Sequence, residues 1–503
     1  MAVNMNKTEL RYELPAGAAV PRLDDLPEVA SVRGPRQERL EAEYYDTGDL
    51  RLLRAGITLR RRRSGEDAGW HLKLPAGVAT RREIHLPPGQ GDGRVPVELA
   101  ELVRVRTREE PLGPIAQITT DRRLLTLVGH TGESLAEIAA DDVSAQGLGG
   151  TTTISNWHEV EVELTGGGPS LLSAADRLLR RAGLRPAGRS AKLEWILGDQ
   201  LPDSAAASPL TPASPAGQVV LAYLRTHADR LKSLDPMVRS DEPDAVHQMR
   251  VATRRLRSTL RSFGGILRSD ATARLAAQLK WLGTVLGEAR DSEVLVRHLQ
   301  ERLSETPTEL VIGPIEAHVQ RYFAPVSADA RRALLIALDS ERYFALLDEL
   351  DALLAEPPLT EEAALPAARV LPREVRRAYR QANRRMRRAR RGQPTNEALH
   401  QARKAAKRVR YASEAVAPAL GKEAGRLARQ MQRIQSVLGD HQDAVIARQL
   451  ERELGIVAHL GGENAFSYGL LYGRDACRAE QFRAQARRAW KRASRRRYRR
   501  WLA

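Results

Sequence analysis

The order of apolar and polar positions divides the chain into two parts of different character. As far as about residue 197, short segments of alternating apolar and polar residues are separated by Gly, Pro and Asp, a pattern typical of strands and turns. The clearest segments are residues 9–14, 58–63, 70–74 and 157–164. In residues 170–182 the apolar residues recur instead at helical spacing. Residues 1–197 are therefore predicted to form an α+β domain with a mostly antiparallel sheet.

A segment of different composition follows. Residues 198–217 are rich in Pro, Ser and Ala and show no periodicity, which predicts a linker. From residue 218 to residue 503 the chain carries long helical periods, with Pro and Gly mainly at breaks. This second part is predicted to be an all-α domain.

An internal repeat is the most informative feature of the helical part. Five basic positions recur 153 residues later: His247, Arg250, Arg254, Arg255 and Arg257 as His400, Arg403, Lys407, Arg408 and Arg410. A second motif recurs 152 residues later: Leu286, Gly287, Glu288 and Asp291 as Leu438, Gly439, Asp440 and Asp443. Two motifs in nearly the same register predict two similar helical bundles in tandem.

The repeated basic residues lie on one side of their helices. At about 100° per residue, His247, Arg250, Arg254 and Arg257 form a stripe opposite the apolar residues. These apolar residues are Met249, Leu256, Leu260 and Phe263. In the second copy, the stripe is formed by His400, Arg403, Lys407 and Arg410, opposite Ala402, Val409 and Val416.

The two stripes lack the acids that usually accompany cations on a solvated helix. Six Arg and no acid occur between Asp244 and Asp270, and five Lys or Arg and no acid between Glu397 and Glu414. Two explanations remain open, an ordinary solvated face or a surface completed by an anion. Uncompensated rows repel themselves, and the guanidinium group binds phosphate oxygens through two hydrogen bonds, which favours the anion. Residues 373–391 and 482–503 add further basic runs.

The whole composition also favours an anionic partner. The chain has 80 Lys and Arg against 63 Asp and Glu, a net charge of +17. Nucleic acid, polyphosphate and an anionic membrane surface are all candidates. Aromatic residues make up only 4%, which is little for the stacking of bases, so nucleic acid is the less favoured partner.

The single cysteine and the absence of long apolar runs bear on the environment of the protein. Cys477 cannot form a disulfide within the chain and excludes a cysteine-based metal site. No apolar run has the length of a signal peptide or of a bilayer-spanning helix. We therefore expect a soluble, cytoplasmic protein without membrane insertion.

Strands in the first part carry rows of charge. Alternation puts Glu9 and Arg11 on one face of a strand, and Glu159 and Glu161 on one face of another. Arg60 and Arg62, and His71 and Lys73, form similar pairs. Such rows suit a triphosphate held by cations, with a divalent metal held by carboxylates. Solvent-exposed strand faces are the alternative.

The motifs of the helical part resemble a known family. A duplicated helix with the pattern His-x-x-Arg-x-x-x-Arg-x-x-Arg, followed by Leu-Gly-x-x-x-Asp, is similar to the CHAD domain over residues 215–503. The resemblance implies two tandem four-helix bundles that bind inorganic polyphosphate and associate with polyphosphate granules. The implied polyphosphate-binding residues are His247, Arg250, Arg254, Arg257, His400, Arg403, Lys407 and Arg410, with Tyr411 as a further contributor. For the two histidines we expect phosphate contact rather than metal ligation.

The first part resembles a second family. The segments YYDTGDLRLLRAGITLRRRRSGEDAGWHLKLPAG, DRRLLTL, WHEVEVEL and SAKLEWIL are similar, in this order, to the CYTH family of triphosphate tunnel metalloenzymes over residues 3–200. The resemblance implies an antiparallel β-tunnel that binds Mg²⁺ or Mn²⁺ and a triphosphate or nucleotide. The implied phosphate-binding residues are Arg11, Arg60, Arg62, Lys73, Arg122 and Lys192. The implied metal ligands are Glu9, Glu159 and Glu161.

One departure from the CYTH pattern affects catalysis. The family opens with Glu-x-Glu-x-Lys, whereas this chain has Lys7-Thr8-Glu9-Leu10-Arg11. Lys7 replaces a carboxylate, and Arg11 lacks the compact ammonium of lysine. The leading prediction is therefore a polyphosphate-binding protein whose CYTH-like domain binds phosphates with impaired catalysis. An active metal-dependent triphosphatase and a nucleic-acid-binding protein are the alternatives.

Overall fold

The computed structural model describes residues 3–15, 17–65, 67–75, 80–89, 93–148, 153–188, 192–201, 208–390 and 394–502, with the backbone alone over residues 3–8. The chain forms two compact units, Met1–Ala206 and Ala207–Ala503. The division between them falls within the segment that the sequence analysis assigned to a linker. Each unit is described by itself.

The first unit consists mainly of antiparallel strands. Its strands are β1 (Val3–Glu13), β2 (Ser31–Asp46), β3 (Thr58–Arg62), β4 (Gly69–Pro75), β5 (Thr80–Leu86), β6 (Gly113–Val128), β7 (Ser134–Gly147), β8 (Ile154–Leu164) and β9 (Arg185–Pro186). Its helices are α1 (Arg51–Arg54), α2 (Val97–Thr107), α3 (Pro169–Arg181) and α4 (Lys192–Leu197), with a 3₁₀ turn at Gly198–Gln200. The predicted helix over residues 170–182 is confirmed as α3.

The strands form one sheet that curls on itself. Its order is β5-β4-β3-β2-β6-β7-β8-β1-β9, and an additional pairing of β1 with β5 joins its two sides. β1 makes this closure by pairing with β5 through residues 3–8 and with β8 through residues 9–13. The result is the predicted tunnel-like antiparallel architecture. Apolar clusters on its outside include Leu171 and Leu179 of α3 and Leu99 and Val103 of α2.

The second unit is helical, as predicted. Its helices are α5 (Ala216–Arg239), α6 (Ala245–Ser262), α7 (Ser269–Ser304), α8 (Ile315–Leu338), α9 (Glu341–Ala355), α10 (Ala367–Arg388), α11 (Asn396–Leu420), α12 (Lys422–Leu460) and α13 (Phe466–Ala493). Short 3₁₀ turns occupy Thr308–Leu310, Glu361–Ala364, Arg496–Tyr498 and Arg500–Leu502. No helix in the described ranges is long and apolar enough to cross a bilayer.

The sequence repeat corresponds to a repeat of helices. α5, α6, α7 and α8 match α10, α11, α12 and α13 in order, and α9 is added at the end of the first copy. The two copies begin side by side, because Pro215 and Pro366, which precede α5 and α10, form an antiparallel bridge. Main-chain bonds on both sides of this bridge join Ala216 to Leu365 and Ala367 to Ser214.

The apolar faces of α6 and α11 lie in the core of the helical unit. All seven apolar residues that the periodicity placed opposite the basic stripes are buried: Met249, Leu256, Leu260, Phe263, Ala402, Val409 and Val416. Burying one such side chain contributes roughly 1.5–3 kcal/mol for the larger residues, so core packing fixes the rotation of both helices. The basic stripes are therefore held away from the core on the opposite side.

Candidate anion-binding sites

Two rows of basic side chains, one on α6 and one on α11, form the first candidate site. All eight residues of the predicted stripes are half-buried, and together we call them the paired basic face. They are His247, Arg250, Arg254 and Arg257 of α6 and His400, Arg403, Lys407 and Arg410 of α11. Half-burial distinguishes this face from an ordinary solvated surface, on which the charged ends of Arg and Lys extend into water.

The Leu-Gly-x-x-x-Asp motif positions two of these arginines. A Cβ atom on Gly287 of α7 would lie 3.1 Å from Nη2 of Arg250, and one on Gly439 of α12 would lie 3.1 Å from Nη2 of Arg403. Each guanidinium therefore lies directly against the neighbouring helix, where glycine leaves room for it. Arg250 Nη1 also donates to Asp291 Oδ1 at 3.1 Å. The Leu-Gly-x-x-x-Asp motif thus leaves room for arginines of the basic stripes.

Side chains of the two helices act on one another electrostatically. The pKa of Lys407 falls to about 6, first because the side chain is buried and then because Arg403, Arg254 and Arg250 surround it with positive charge. Asp443 of α12 opposes this effect but does not cancel it. Since Arg250 and Arg254 belong to α6 and Lys407 to α11, the two stripes share one region of strong positive potential.

Some members of the face are already neutralised and others are not. Arg410 Nε donates to Glu414 Oε1 at 2.7 Å, and Arg250 pairs with Asp291. Within the described part of the chain, no carboxylate lies within ion-pair distance of the other four cationic members, namely Arg254, Arg257, Arg403 and Lys407. The centre of the face therefore carries positive charge that no described ion pair neutralises.

Tyr411 lies beneath the face and not on its surface. The ring is 4% exposed, with the guanidinium carbons of Arg255 and Arg410 at 5.4 and 5.7 Å from its centroid. Tyr411 therefore orients two arginines through cation–π contacts.

Both motif histidines are neutral over most of the physiological pH range. Burial is the largest cause that lowers the pKa of His247 and of His400. Asp244 partly opposes the shift at His247, and Glu397 does so at His400. Within the described residues, His400 Nδ1 has no hydrogen-bond partner. Charging of these imidazoles therefore begins below their usual pKa of about 6.5 in the free protein.

The interior of the curled sheet forms the second candidate site. All six cations predicted to bind triphosphate lie there, and none of their side chains is more than 18% exposed. They are Arg11, Arg60, Arg62, Lys73, Arg122 and Lys192. The strand register explains part of this convergence, because Arg11 lies opposite Glu161 and Arg122 lies opposite Asp141. Directly opposite residues of neighbouring strands extend to the same side of a sheet.

Two of these cations, Arg11 and Arg122, form buried ion pairs. Arg11 Nη2 donates to Glu9 Oε1 at 3.0 Å, and Arg11 Nε lies 3.1 Å from Glu161 Oε1. Arg122 donates from Nε and Nη2 to the two Asp141 oxygens at 2.7 Å each, and from Nη2 to Glu161 Oε2 at 2.8 Å. Each of the three carboxylates is thus in contact with an arginine.

Three carboxylates in this interior are close enough to share a cation. One oxygen from each of Asp141, Glu159 and Glu161 lies within 4.8 Å of the other two. Lys192 forms ion pairs with Asp141 and, at 3.0 Å, with Glu159. Burial alone would lower the pKa of Lys192, but these carboxylates outweigh it and the pKa is raised. An all-oxygen ligand set fits Mg²⁺ or Mn²⁺. The Arg and Lys side chains that now pair with these carboxylates would have to turn towards another anion.

A second group of charges lines the strands β3, β4 and β5. Glu83 Oε1 lies 2.9 Å from His71 Nδ1 and 3.8 Å from Arg60 Nη2. Lys73 Nζ lies 3.8 Å from both Glu83 and Glu9. Burial is the main cause that lowers the pKa of Lys73 and of His71. Arg60 and Lys73 thus lie 3.8 Å from these acids, a separation longer than a direct hydrogen bond.

Comparison with known proteins supports this division into two units. The model of the CYTH domain matches residues 5–189, and the model of the CHAD domain matches residues 222–452. The uncharacterized proteins MT2285 and Rv2226 of two Mycobacterium tuberculosis strains are each 37% identical over 495 residues, covering 95% of this chain and 94% of theirs. This chain belongs to the CYTH–CHAD proteins.

Solved structures with similar parts include two proteins. PptA from Streptomyces chartreusis is 22% identical, with a TM-score of 0.47, and the match covers 55% of this chain and 100% of that one. The CHAD domain from the plant Ricinus communis is 27% identical, with a TM-score of 0.44, and the match covers 57% of this chain and 96% of that one.

In the CYTH unit, the structure places a further carboxylate beside two of the predicted metal ligands. Glu159 and Glu161 lie together, but their third neighbour is Asp141, which the sequence analysis did not single out. Glu9 lies outside this group and contacts Arg11. Asp141 stands directly opposite Glu159 on the neighbouring strand, so it could have been found from the strand register but not from sequence spacing alone.

Further charged residues of this interior were missed for the same reason. Arg81 lies 3.9 Å from Glu9, and Asp67 forms an ion pair with Arg62. Ion pairs connect the six predicted cations and Arg81 to six acids, namely Glu9, Asp67, Glu83, Asp141, Glu159 and Glu161. The Lys7 side chain lies outside the described residues.

Proposed function

We propose that the CHAD unit binds inorganic polyphosphate along the paired basic face. The observation that carries the proposal is the half-buried centre of the face, where Arg254, Arg257, Arg403 and Lys407 lack described acidic partners. An anion placed there relieves the mutual repulsion of the three arginines and favours the charged form of Lys407. Arginine forks bind phosphate oxygens through two hydrogen bonds, which suits a ligand that consists of phosphate throughout.

The length of the face favours a polymer over a small anion. At about 1.5 Å per residue, each stripe extends along about 15 Å of its helix, from the histidine to the last arginine. A chain of phosphates repeats its charge over such a distance, whereas a single phosphate contacts only part of it. Association with polyphosphate granules follows from the same proposal.

Nucleic acid fits this face less well. Among the described residues, the cation–π contacts of the face involve only Tyr411, which is buried under Arg255 and Arg410 and offers no surface to a base. Stacking on exposed rings is the usual way in which proteins hold single strands without sequence preference. The face therefore recognises phosphate without reading bases.

For the CYTH unit we propose binding of a triphosphate-like anion with weak or absent hydrolysis. Its Arg and Lys side chains would contact phosphate oxygens, and Asp141, Glu159 and Glu161 would hold Mg²⁺ or Mn²⁺. The divalent ion would supply positive charge against the phosphate oxygens. Impairment follows from Arg11, whose guanidinium contacts Glu9 and Glu161 together and so occupies two carboxylates at once. The three clustered carboxylates favour an active triphosphatase as the second candidate function.

Competition between polyanions tests the leading proposal. Long-chain polyphosphate should bind the full chain, and its affinity should fall about 100-fold between about 50 and about 200 mM salt, because several bound counterions are released. Single- and double-stranded nucleic acid of matched charge should compete at least about tenfold less well. Binding that is indifferent to salt, or equal competition by nucleic acid, would refute the proposal.

Polyphosphate affinity should also rise about tenfold as pH falls from about 8 to about 5.5. Lys407 is largely neutral above its pKa of about 6 in the free protein, and a bound polyanion favours the charged form. Polyphosphate should therefore bind more tightly at lower pH. Interior phosphates of a long chain keep their charge throughout this range, so the change comes from the protein.

Variants at Lys407 isolate this effect by isothermal titration at several pH values. Lys407→Arg stays charged and should bind tightly at high pH with a flatter profile, whereas Lys407→Met should lose the gain at low pH. The exposed Lys404→Met on the same helix is the control and should keep the wild-type profile. Identical profiles for wild type and Lys407→Arg would show that the lysine does not titrate on binding.

A further inference from the structure

A second cluster of buried polar side chains lies in the helical unit, apart from the paired basic face. It consists of His298 of α7, Glu451 of α12 and Asp475 of α13, one residue from each of three helices. One ligand atom from each residue lies within 4.8 Å of the other two. Both carboxylate residues are 0% exposed. Two acids brought together inside a helical core need a compensating charge.

The carboxylates receive little compensation from their neighbours. Among the described residues, neither oxygen of Glu451 has a hydrogen-bond partner, and neither does Oδ1 of Asp475. The remaining oxygen, Asp475 Oδ2, lies 2.5 Å from His298 Nε2. Three carboxylate oxygens are thus left without partners in a region closed to solvent, where most buried polar atoms are hydrogen-bonded.

Two arginines lie near the cluster but are engaged elsewhere. Arg302 Nη2 donates to Glu305 Oε1 at 3.1 Å, and Arg448 Nη2 donates to the Tyr472 hydroxyl at 3.0 Å. The pKa of Glu451 is raised to about 8, first by burial and then by the charge of Asp475, although both arginines oppose the shift. Glu451 therefore holds a proton near neutral pH, because neither arginine lies within ion-pair distance of it in the described part of the chain.

We propose that His298, Glu451 and Asp475 bind a divalent transition-metal ion, Zn²⁺ or Mn²⁺. One imidazole nitrogen and two carboxylates form a ligand set that suits these ions better than Mg²⁺ or Ca²⁺, which prefer oxygen alone. Ligand atoms at about 2.0–2.2 Å from one ion lie at most about 4.4 Å apart. A movement of a fraction of an ångström therefore completes the set.

A cavity beside the cluster provides room for the remaining coordination positions. It has a volume of about 210 Å³ and is lined by His298 and Asp475 together with Asp440, Asp443 and Arg302, among other residues. Water molecules in this space can complete the coordination of an ion that has three protein ligands. The ion would also connect α7, α12 and α13, so that binding stabilises the folded unit.

Metal titration of the chelator-treated full chain tests the proposal. Zn²⁺ and Mn²⁺ are added in separate calorimetric titrations, with Mg²⁺ as a comparison, and bound metal is counted by mass spectrometry. Glu451→Gln and His298→Gln should each weaken one Zn²⁺ or Mn²⁺ site about tenfold or more. Glu161→Gln, which changes the candidate site in the CYTH unit, is the matched control. It should still bind the ion at His298, Glu451 and Asp475. Equal metal content in wild type and Glu451→Gln would overturn the proposal.

A measurement on the unaltered protein covers the case in which a variant fails to fold. Co²⁺ should give a visible absorption band typical of low coordination numbers, and Zn²⁺ should abolish it. The melting temperature of the wild-type chain should rise when Zn²⁺ is added. That of the Glu161→Gln control should rise as well. Absence of both the band and the shift would show that the cluster holds a proton and not a metal ion. Polyphosphate binding by Glu451→Gln should remain unchanged.

Discussion

Replacing Arg254, Arg403 and Lys407 together by alanine should weaken the binding of long-chain polyphosphate by the full chain at least about 100-fold at low salt. Each lost phosphate contact of a charged group contributes about 1.5–3 kcal/mol, and 100-fold corresponds to about 2.7 kcal/mol. These three residues form the centre of the paired basic face and lack described acidic partners. The salt dependence of binding should become weaker in the same variant.

A control with the same change in charge separates this site from the general basicity of the protein. Arg274, Arg321 and Arg332 are exposed on α7 and α8, and their joint replacement by alanine removes the same formal charge. This control should lose less than about threefold in affinity, as expected for screened surface charges. Equal losses in the two triple variants would mean that the polymer binds without using the paired basic face.

The comparison with a short ligand shows whether the two helices act together. Long chains can contact α6 and α11 at once, so that the second contact benefits from a high effective concentration. The triple variant should therefore lose much more affinity for long chains than for triphosphate. Melting temperature should stay the same or rise, because alanine removes mutually repelling cations.

The second large effect concerns catalysis. With Mg²⁺ or Mn²⁺, the wild-type chain should release little phosphate from triphosphate, and Lys7→Glu combined with Arg11→Lys should raise release at least about tenfold. Arg11 contacts Glu9 at 3.0 Å and Glu161 at 3.1 Å. Lysine at this position keeps the charge but lacks the two-armed contact, and a new carboxylate at position 7 adds an oxygen ligand.

Phosphate release is measured over a range of metal concentrations in matched variants. Adding Glu161→Gln to the double variant should abolish the gain, whereas Glu98→Gln, a change of an exposed residue on α2, should leave most of it. Strong wild-type turnover that disappears on Glu161→Gln would establish the second candidate function, an active triphosphatase. The proposal of impaired catalysis would then be wrong, while polyphosphate binding by the CHAD unit would be unaffected.

Helical periodicity predicted most of the features that the structure confirms in the helical unit. It placed Leu256 and Val409 in the core and the basic residues opposite them, because burial of apolar side chains fixes the rotation of a helix. The duplicated motif also predicted that the chain repeats its helices. What periodicity could not provide was the contact between Arg250 and Gly287, which lie on different helices.

Contacts between separate strands or helices limited the prediction of the sites. Asp141 joins Glu159 only through the register of β7 and β8. The pair of Arg410 with Glu414 was readable as an i, i+4 spacing on one helix. The cluster of His298, Glu451 and Asp475 was not readable, because packing alone brings together three helices distant in sequence.

The bridge between Pro215 and Pro366 has a consequence for folding kinetics. It joins positions 151 residues apart, and the adjoining main-chain bonds connect Ala216 to Leu365 and Ala367 to Ser214. Contacts of such long sequence separation form late, since a large loop must close before they yield any stabilisation. During synthesis, the beginning of the first copy must therefore wait for the beginning of the second to leave the ribosome. Although the two copies repeat one pattern, they form one compact unit, so we expect them to unfold together.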